Sequence, residues 1–173
     1  MQSSTSTIIA ICVAAVLLFV VPLVTLTDRN DNVVQENVKL IVEEYVSDIR
    51  NTGKITPEGF QDFENRLSAT GNVYDIEMQV QVLDENPGKK TTQTESTKIG
   101  ENVYYSEYTS QVLEKLKSGT ITLKEGDLIY VGVTNQNSTA AQTLKSSFLS
   151  FSNAGEYVIS ADSSGMVNVN GNK

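Results

Sequence analysis

Nineteen consecutive residues near the N-terminus, Ile8 to Leu26, carry neither charge nor glycine. As a helix rising about 1.5 Å per residue, such a run is roughly 28 Å long, close to the hydrocarbon thickness of a bilayer. A cleaved secretory signal would have a basic leading region, a shorter apolar core and a small-x-small cleavage site. The leader here, MQSSTST, contains no Lys or Arg, the core is long, and no A-x-A follows it. The expectation is therefore a retained single-pass anchor whose partner is the lipid bilayer. Pro22 lies late in the run, where its missing N–H predicts a local kink, although membrane helices tolerate proline.

The remainder of the 173-residue chain has room for one domain with its own core. The net charge of −8 falls wholly after the apolar run, because the first charged side chain is Asp28. An acidic domain repels polyanions, which argues against nucleic acid as a partner. The single cysteine, Cys12, sits inside the apolar run, so the rest of the chain can form no internal disulfide and must hold together by packing. There is no histidine, which removes the commonest general base and zinc ligand. Arg29 and Lys39 after the helix pull the domain towards the cytoplasm, but Asp28, Asp31 and Glu36 offset them. The Thr-, Asn- and Ser-rich composition and the absence of soluble thiols favour a C-terminal domain outside the cytoplasm.

Past a polar joint at residues 27–32, Val34, Val38, Ile41, Tyr45 and Ile49 recur at helical spacing and share one face. Their pattern predicts an amphipathic stalk that continues the membrane helix and ends at Gly53. Thr56-Pro57 starts a short helix with Phe60, Phe63 and Leu67 on its buried side. Strict alternation over residues 73–83 predicts a strand with one wet face. Residues 84–97 read as an exposed loop, and Tyr105, Tyr108, Val112 and Leu116 as a third helix. Residues 123–135 hold another strand, with Leu128, Ile129, Tyr130, Val131 and Val133 apolar on both faces, as in a central strand. Thr139 and Gln142 form a capping box for a fourth helix bearing Ala141, Leu144, Phe148 and Phe151. Residues 157–161 and 166–169 flank Asp162-Ser163-Ser164-Gly165 as a closing hairpin. The division expected is leader and membrane helix over 1–27, stalk over 28–53, and a soluble domain over 54–173. The fold class is α+β: a small mixed sheet of about four strands with helices mainly on one face. A strand–helix–strand crossover is expected to place two strands parallel.

Chemistry is sparse. Without histidine, and with Cys12 in lipid, Ser-His-Asp and Cys-His catalysis are excluded. Lys145 neighbours Ser146 and Ser147, but adjacent residues on a helix do not face each other. Asp75 and Glu77 share a strand face about 7 Å apart, a spacing that the solvent side of an ordinary strand explains. No calcium loop or Gly-rich phosphate loop is present. Asn137-Ser138-Thr139 matches a glycosylation sequon. No cofactor, metal or catalytic residue is expected, and the chain reads as a non-enzyme.

Three stretches complete the reading: the apolar helix running into a stalk, LSATGNVYDIEMQV over 67–80, and KEGDLIYVGVTN over 124–135 followed by SGMVNVNG. Together they resemble the minor, pilin-like TadE-type components of tight-adherence (Tad/Flp) pili of Gram-positive, clostridial-type bacteria. The resemblance implies a helix held in the membrane or a filament core, with the domain outside the cell. It also implies partners among other pilin-like or assembly-platform membrane proteins, including self-association. Typical prepilins carry a basic leader ending in Gly and a Glu early in the mature helix. This chain has neither, which points to an accessory rather than a main subunit. The helix-packing residues expected are Pro22, Val34, Val38, Ile41, Tyr45 and Ile49. The alternative function is a tethered extracytoplasmic ligand-binding or sensory accessory domain.

Overall fold

The structure is a computed structural model that describes residues 2–84, 104–148 and 158–171. One helix, α1 (Gln2–Thr52), takes up the first part of the chain. It runs without interruption through Pro22 and through the expected polar joint at 27–32. Thr25 and Thr27 donate their hydroxyls back to the carbonyls of Val21, Leu23 and Val24, so these polar groups stay satisfied beside the apolar segment. Gly53, at φ 66°, ends the helix as its sequence predicts.

After α1 come β1 (Lys54–Ile55), α2 (Pro57–Ser68), β2 (Tyr74–Leu83), β3 (Tyr104–Tyr108) and α3 (Thr109–Ser118). The chain closes with β4 (Ile121–Thr122), β5 (Leu128–Asn135), α4 (Ala140–Phe148) and β6 (Ser160–Met166). A four-stranded sheet has the order β3-β2-β5-β6, and β1 pairs with β4 in a separate ribbon. The α+β class and the long apolar helix leading into a small sheet are as expected.

The strand pairing is different from the expected parallel crossover, because every pair is antiparallel. The reason lies in Tyr104–Tyr108. The spacing of Tyr105, Tyr108, Val112 and Leu116 suits a helix, yet only the second half forms one. The tyrosine-rich first half adds to β2 as an edge strand, where aromatic side chains are well accommodated. That additional strand returns the chain so that β5 enters antiparallel to β2.

The expected closing hairpin is also replaced. Residues 160–166 form one continuous strand along β5. Its small side chains on one side, Ala161, Ser163 and Gly165, let α1 lie close against it. A Cβ at Gly165 would run into the Arg50 side chain. Gln35 of α1 donates to the Ser160 carbonyl and accepts from its N–H, at 2.5 and 3.1 Å. Arg50 Nε donates to the Met166 carbonyl at 2.9 Å. The helix thus ties down both ends of an edge strand that would otherwise present open backbone groups. The expected loop over 84–97 lies outside the described residues apart from Asp84, as do the side chains of Phe148 and Phe151.

The core lies between the sheet and its helices. Val38, Val42, Val46 and Ile49 of α1 pack with Met78 and Val80 of β2, Ile129, Val131 and Val133 of β5, and Val112 and Leu116 of α3. Phe63 and Leu67 of α2 extend it. Thr56 caps α2 by accepting from the Gly59 N–H at 3.0 Å, and Pro57 occupies the first turn. The Thr139–Gln142 capping box forms at the start of α4.

Candidate functional site

The helix α1 carries every residue expected at a packing interface, and the fold divides them. Val38, Ile41, Tyr45 and Ile49 are buried in the domain's own core, and Val34 packs against its edge. Their face is covered by the chain's own sheet, so those residues are not open to a partner helix. Periodicity alone cannot distinguish the two, since a stripe seeking a sheet and a stripe seeking another helix have the same spacing. Pro22 remains exposed.

A second apolar column was not singled out in the sequence. Phe19, Leu26, Val33 and Leu40 are 72%, 64%, 68% and 62% exposed. They recur every seven residues, so each step drifts only about 20° around the helix. At about 100° per residue, Leu40 faces directly away from the core stripe. The 7-residue spacing is visible in the sequence, but no local pattern shows that this column stays open while the other is covered.

Near the exit of the apolar segment, the domain grips α1 with polar contacts. The Thr139 hydroxyl donates to buried Asp31 at 2.6 Å, and Lys145 pairs with Asp28 at 2.6 Å. Lys145 is therefore turned to the helix, while Ser146 and Ser147 donate back to the Thr143 carbonyl. Asn137 of the sequon is engaged as well: its Oδ1 accepts from the Val73 N–H at 2.7 Å and its Nδ2 donates to Asn72 at 3.1 Å. Asp75 and Glu77 are exposed on the open face of the sheet. On that face Tyr130 folds its hydroxyl over Gly132. Burial, then the charges of Asp162 and Glu77, raise its pKa.

Beyond the column, α1 and α2 enclose an open cleft of about 430 Å³. Glu44 and Arg66 bridge it at 2.5 Å. The hydrogen bond from Arg66, and then its charge, hold the Glu44 carboxyl below its ordinary value. Tyr45 and Phe63 line the cleft with rings stacked 4.3 Å apart. Among the described residues no three metal-ligating side chains gather into a candidate metal site. The helix α1 is long and apolar enough to cross a membrane. Compared with known proteins, the chain matches no family model, no curated protein and no solved structure.

Proposed function

We propose that the protein is a non-enzymatic, membrane-retained assembly subunit of the cell envelope, pilin-like and related to Tad-type pilus or secretion components. Its apolar helix stays in the bilayer or a fibre core, its domain lies outside the cytoplasm, and it packs against like helices through α1. One observation carries this reading. A single unbroken helix leads from the apolar segment into the heart of the domain, while its opposite side keeps a column of large apolar residues exposed well past the segment's end. Val33 and Leu40 lie about 10 and 21 Å beyond Leu26 along the axis, where lipid tails do not reach. A partner helix covers such a column without disturbing the domain's core. The lack of histidine and the exposure of Asp75 and Glu77 on the open sheet face agree with a structural role.

The test is a Val33→Glu, Leu40→Glu double variant of the full chain in its native membrane. Cross-linking between α1 helices should fall at least tenfold, while the melting temperature of the domain changes by no more than about 2 °C, as for exposed sites. Undiminished cross-linking would refute the column as the packing surface. Protease treatment of intact cells should remove the domain and spare the apolar segment.

A further inference from the structure

The cleft between α1 and α2 carries a chemistry that the packing column does not use. On the α1 side lie Glu44 and Asp48, and on the α2 side Asp62 and Arg66. Three carboxylates against one guanidinium leave the lining at −2, and that guanidinium is already engaged by Glu44. The Asp48 and Asp62 carboxylates make no ion pair or hydrogen bond among the described residues, although the Asp62 charge acts on Arg66 from a distance.

A second observation is independent of this charge. Tyr45 lines the cleft, is only 8% exposed, and its buried hydroxyl makes no hydrogen bond among the described residues. A buried hydroxyl without a partner is uncommon in folded proteins, because losing its hydration costs about 1–3 kcal/mol. Burial raises its pKa first, and the charges of Asp48 and Glu64 add to the effect. The hydroxyl is therefore neutral, set in a negative field, and able to accept from a cationic donor.

We infer that this cleft receives a lysine or arginine side chain presented by a partner protein. The lining matches the charged end of such a group. The buried Tyr45–Phe63 stack forms the floor, while the two carboxylates and the tyrosine oxygen take the N–H donors of the cation. No three-ligand cluster for a bare metal ion is formed among the described residues. The position suits a protein partner. Residues 44–51 lie about 27–38 Å past Leu26 along the helix, well clear of headgroups, and the cleft opens to the surface. The inference goes beyond the proposed packing column and does not need it.

The test titrates full-length protein in detergent micelles with a tetralysine peptide, its fully Nε-acetylated counterpart, and spermidine as a free amine. Tetralysine should bind saturably, and the acetylated peptide at least tenfold more weakly. An Asp48→Asn, Asp62→Asn variant should lose at least tenfold in affinity with its melting curve unchanged, and Tyr45→Phe should lose at least threefold. A control pair, Asp75→Asn with Glu77→Gln, removes the same charge from the open sheet face and should retain affinity within twofold. Equal losses in the control and cleft variants would reduce the effect to net charge and overturn the site. Spermidine binding tighter than tetralysine would overturn the assignment to a protein side chain. Retained tetralysine binding in Val33→Glu, Leu40→Glu is expected, and its loss there would place the peptide on the column instead.

Discussion

At the end of α1, Gly53 holds φ at 66°, and an added Cβ would come within 2.6 Å of Val169 O and Gly171 N. The C-terminal segment is threaded over this point: Leu123 donates to the Gly53 carbonyl, Gly171 to the Leu123 carbonyl, and Asn168 to the Arg50 carbonyl. Gly53→Ala therefore meets both a disfavoured backbone conformation and a backbone clash. The expected cost is at least about 2 kcal/mol, read as a fall of several degrees in melting temperature; an unchanged melt would contradict the geometry. Tyr45 gives a prediction of another kind. Its pKa is raised in the folded chain, whereas an unfolded tyrosine titrates near 10. Below about pH 10 both states hold the proton and the contribution of this group is complete. Above that pH the unfolded chain releases a proton that the folded chain retains, so stability falls. The melting temperature should decline from about pH 10 upwards, and Tyr45→Phe should make that decline shallower. An equally steep decline in the variant would remove Tyr45 from the account.

At the scale of the elements, α1 has two faces with opposite responses to charge. Val38 is fully buried among sheet and helix side chains, so Val38→Asp places an unpaired carboxylate in an apolar core. The expected loss exceeds about 4 kcal/mol, a large share of the roughly 5–15 kcal/mol that stabilises an ordinary domain. Melting followed by circular dichroism should shift down by well over about 10 °C. The contrast with an exposed charge at Val33 separates the core stripe from the exposed column. An unchanged melt in Val38→Asp would mean that α1 is not the central element of the core. Strand β6 shows why polarity patterns mislead. Asp162-Ser163-Ser164-Gly165 has the composition of a turn, but small residues are also what a strand needs where a helix lies directly upon it. Only the presence of Arg50 and Gln35 on α1 explains the choice. Tyr104–Tyr108 is the converse case, in which helical spacing and strand composition compete and pairing with β2 decides.

For the whole molecule, the apolar segment and the core stripe of the domain lie on one unbroken helix. Asp31 with Thr139 and Asp28 with Lys145 fasten α4 to that helix next to the apolar segment. The full chain is expected to remain with membranes through alkaline carbonate extraction, and Val16→Arg with Phe19→Arg should release a substantial fraction, since each centred Arg costs about 2.5–3.5 kcal/mol. Release of the unaltered chain would argue against a retained anchor. Much of this architecture was legible in local sequence. The apolar run, the stop at Gly53, the Thr56-Pro57 start, the alternation of β2 and the capping box at Thr139 each rest on contacts within a few residues. The amphipathic face of α1 was legible too, but what covers it was not. Burial of Val38, Ile41, Tyr45 and Ile49 depends on a sheet assembled from residues 74–166, and no local pattern can tell a sheet from a second helix. By itself, then, the sequence determined where the acidic charge lies, that one helix is greasy enough for a bilayer, and most of the helical segments, but not where α3 begins. Tertiary structure alone decided strand direction, which apolar column of α1 remains open, and that Tyr45 meets Asp48 and Asp62 at one cleft, because each depends on residues brought together from distant parts of the chain.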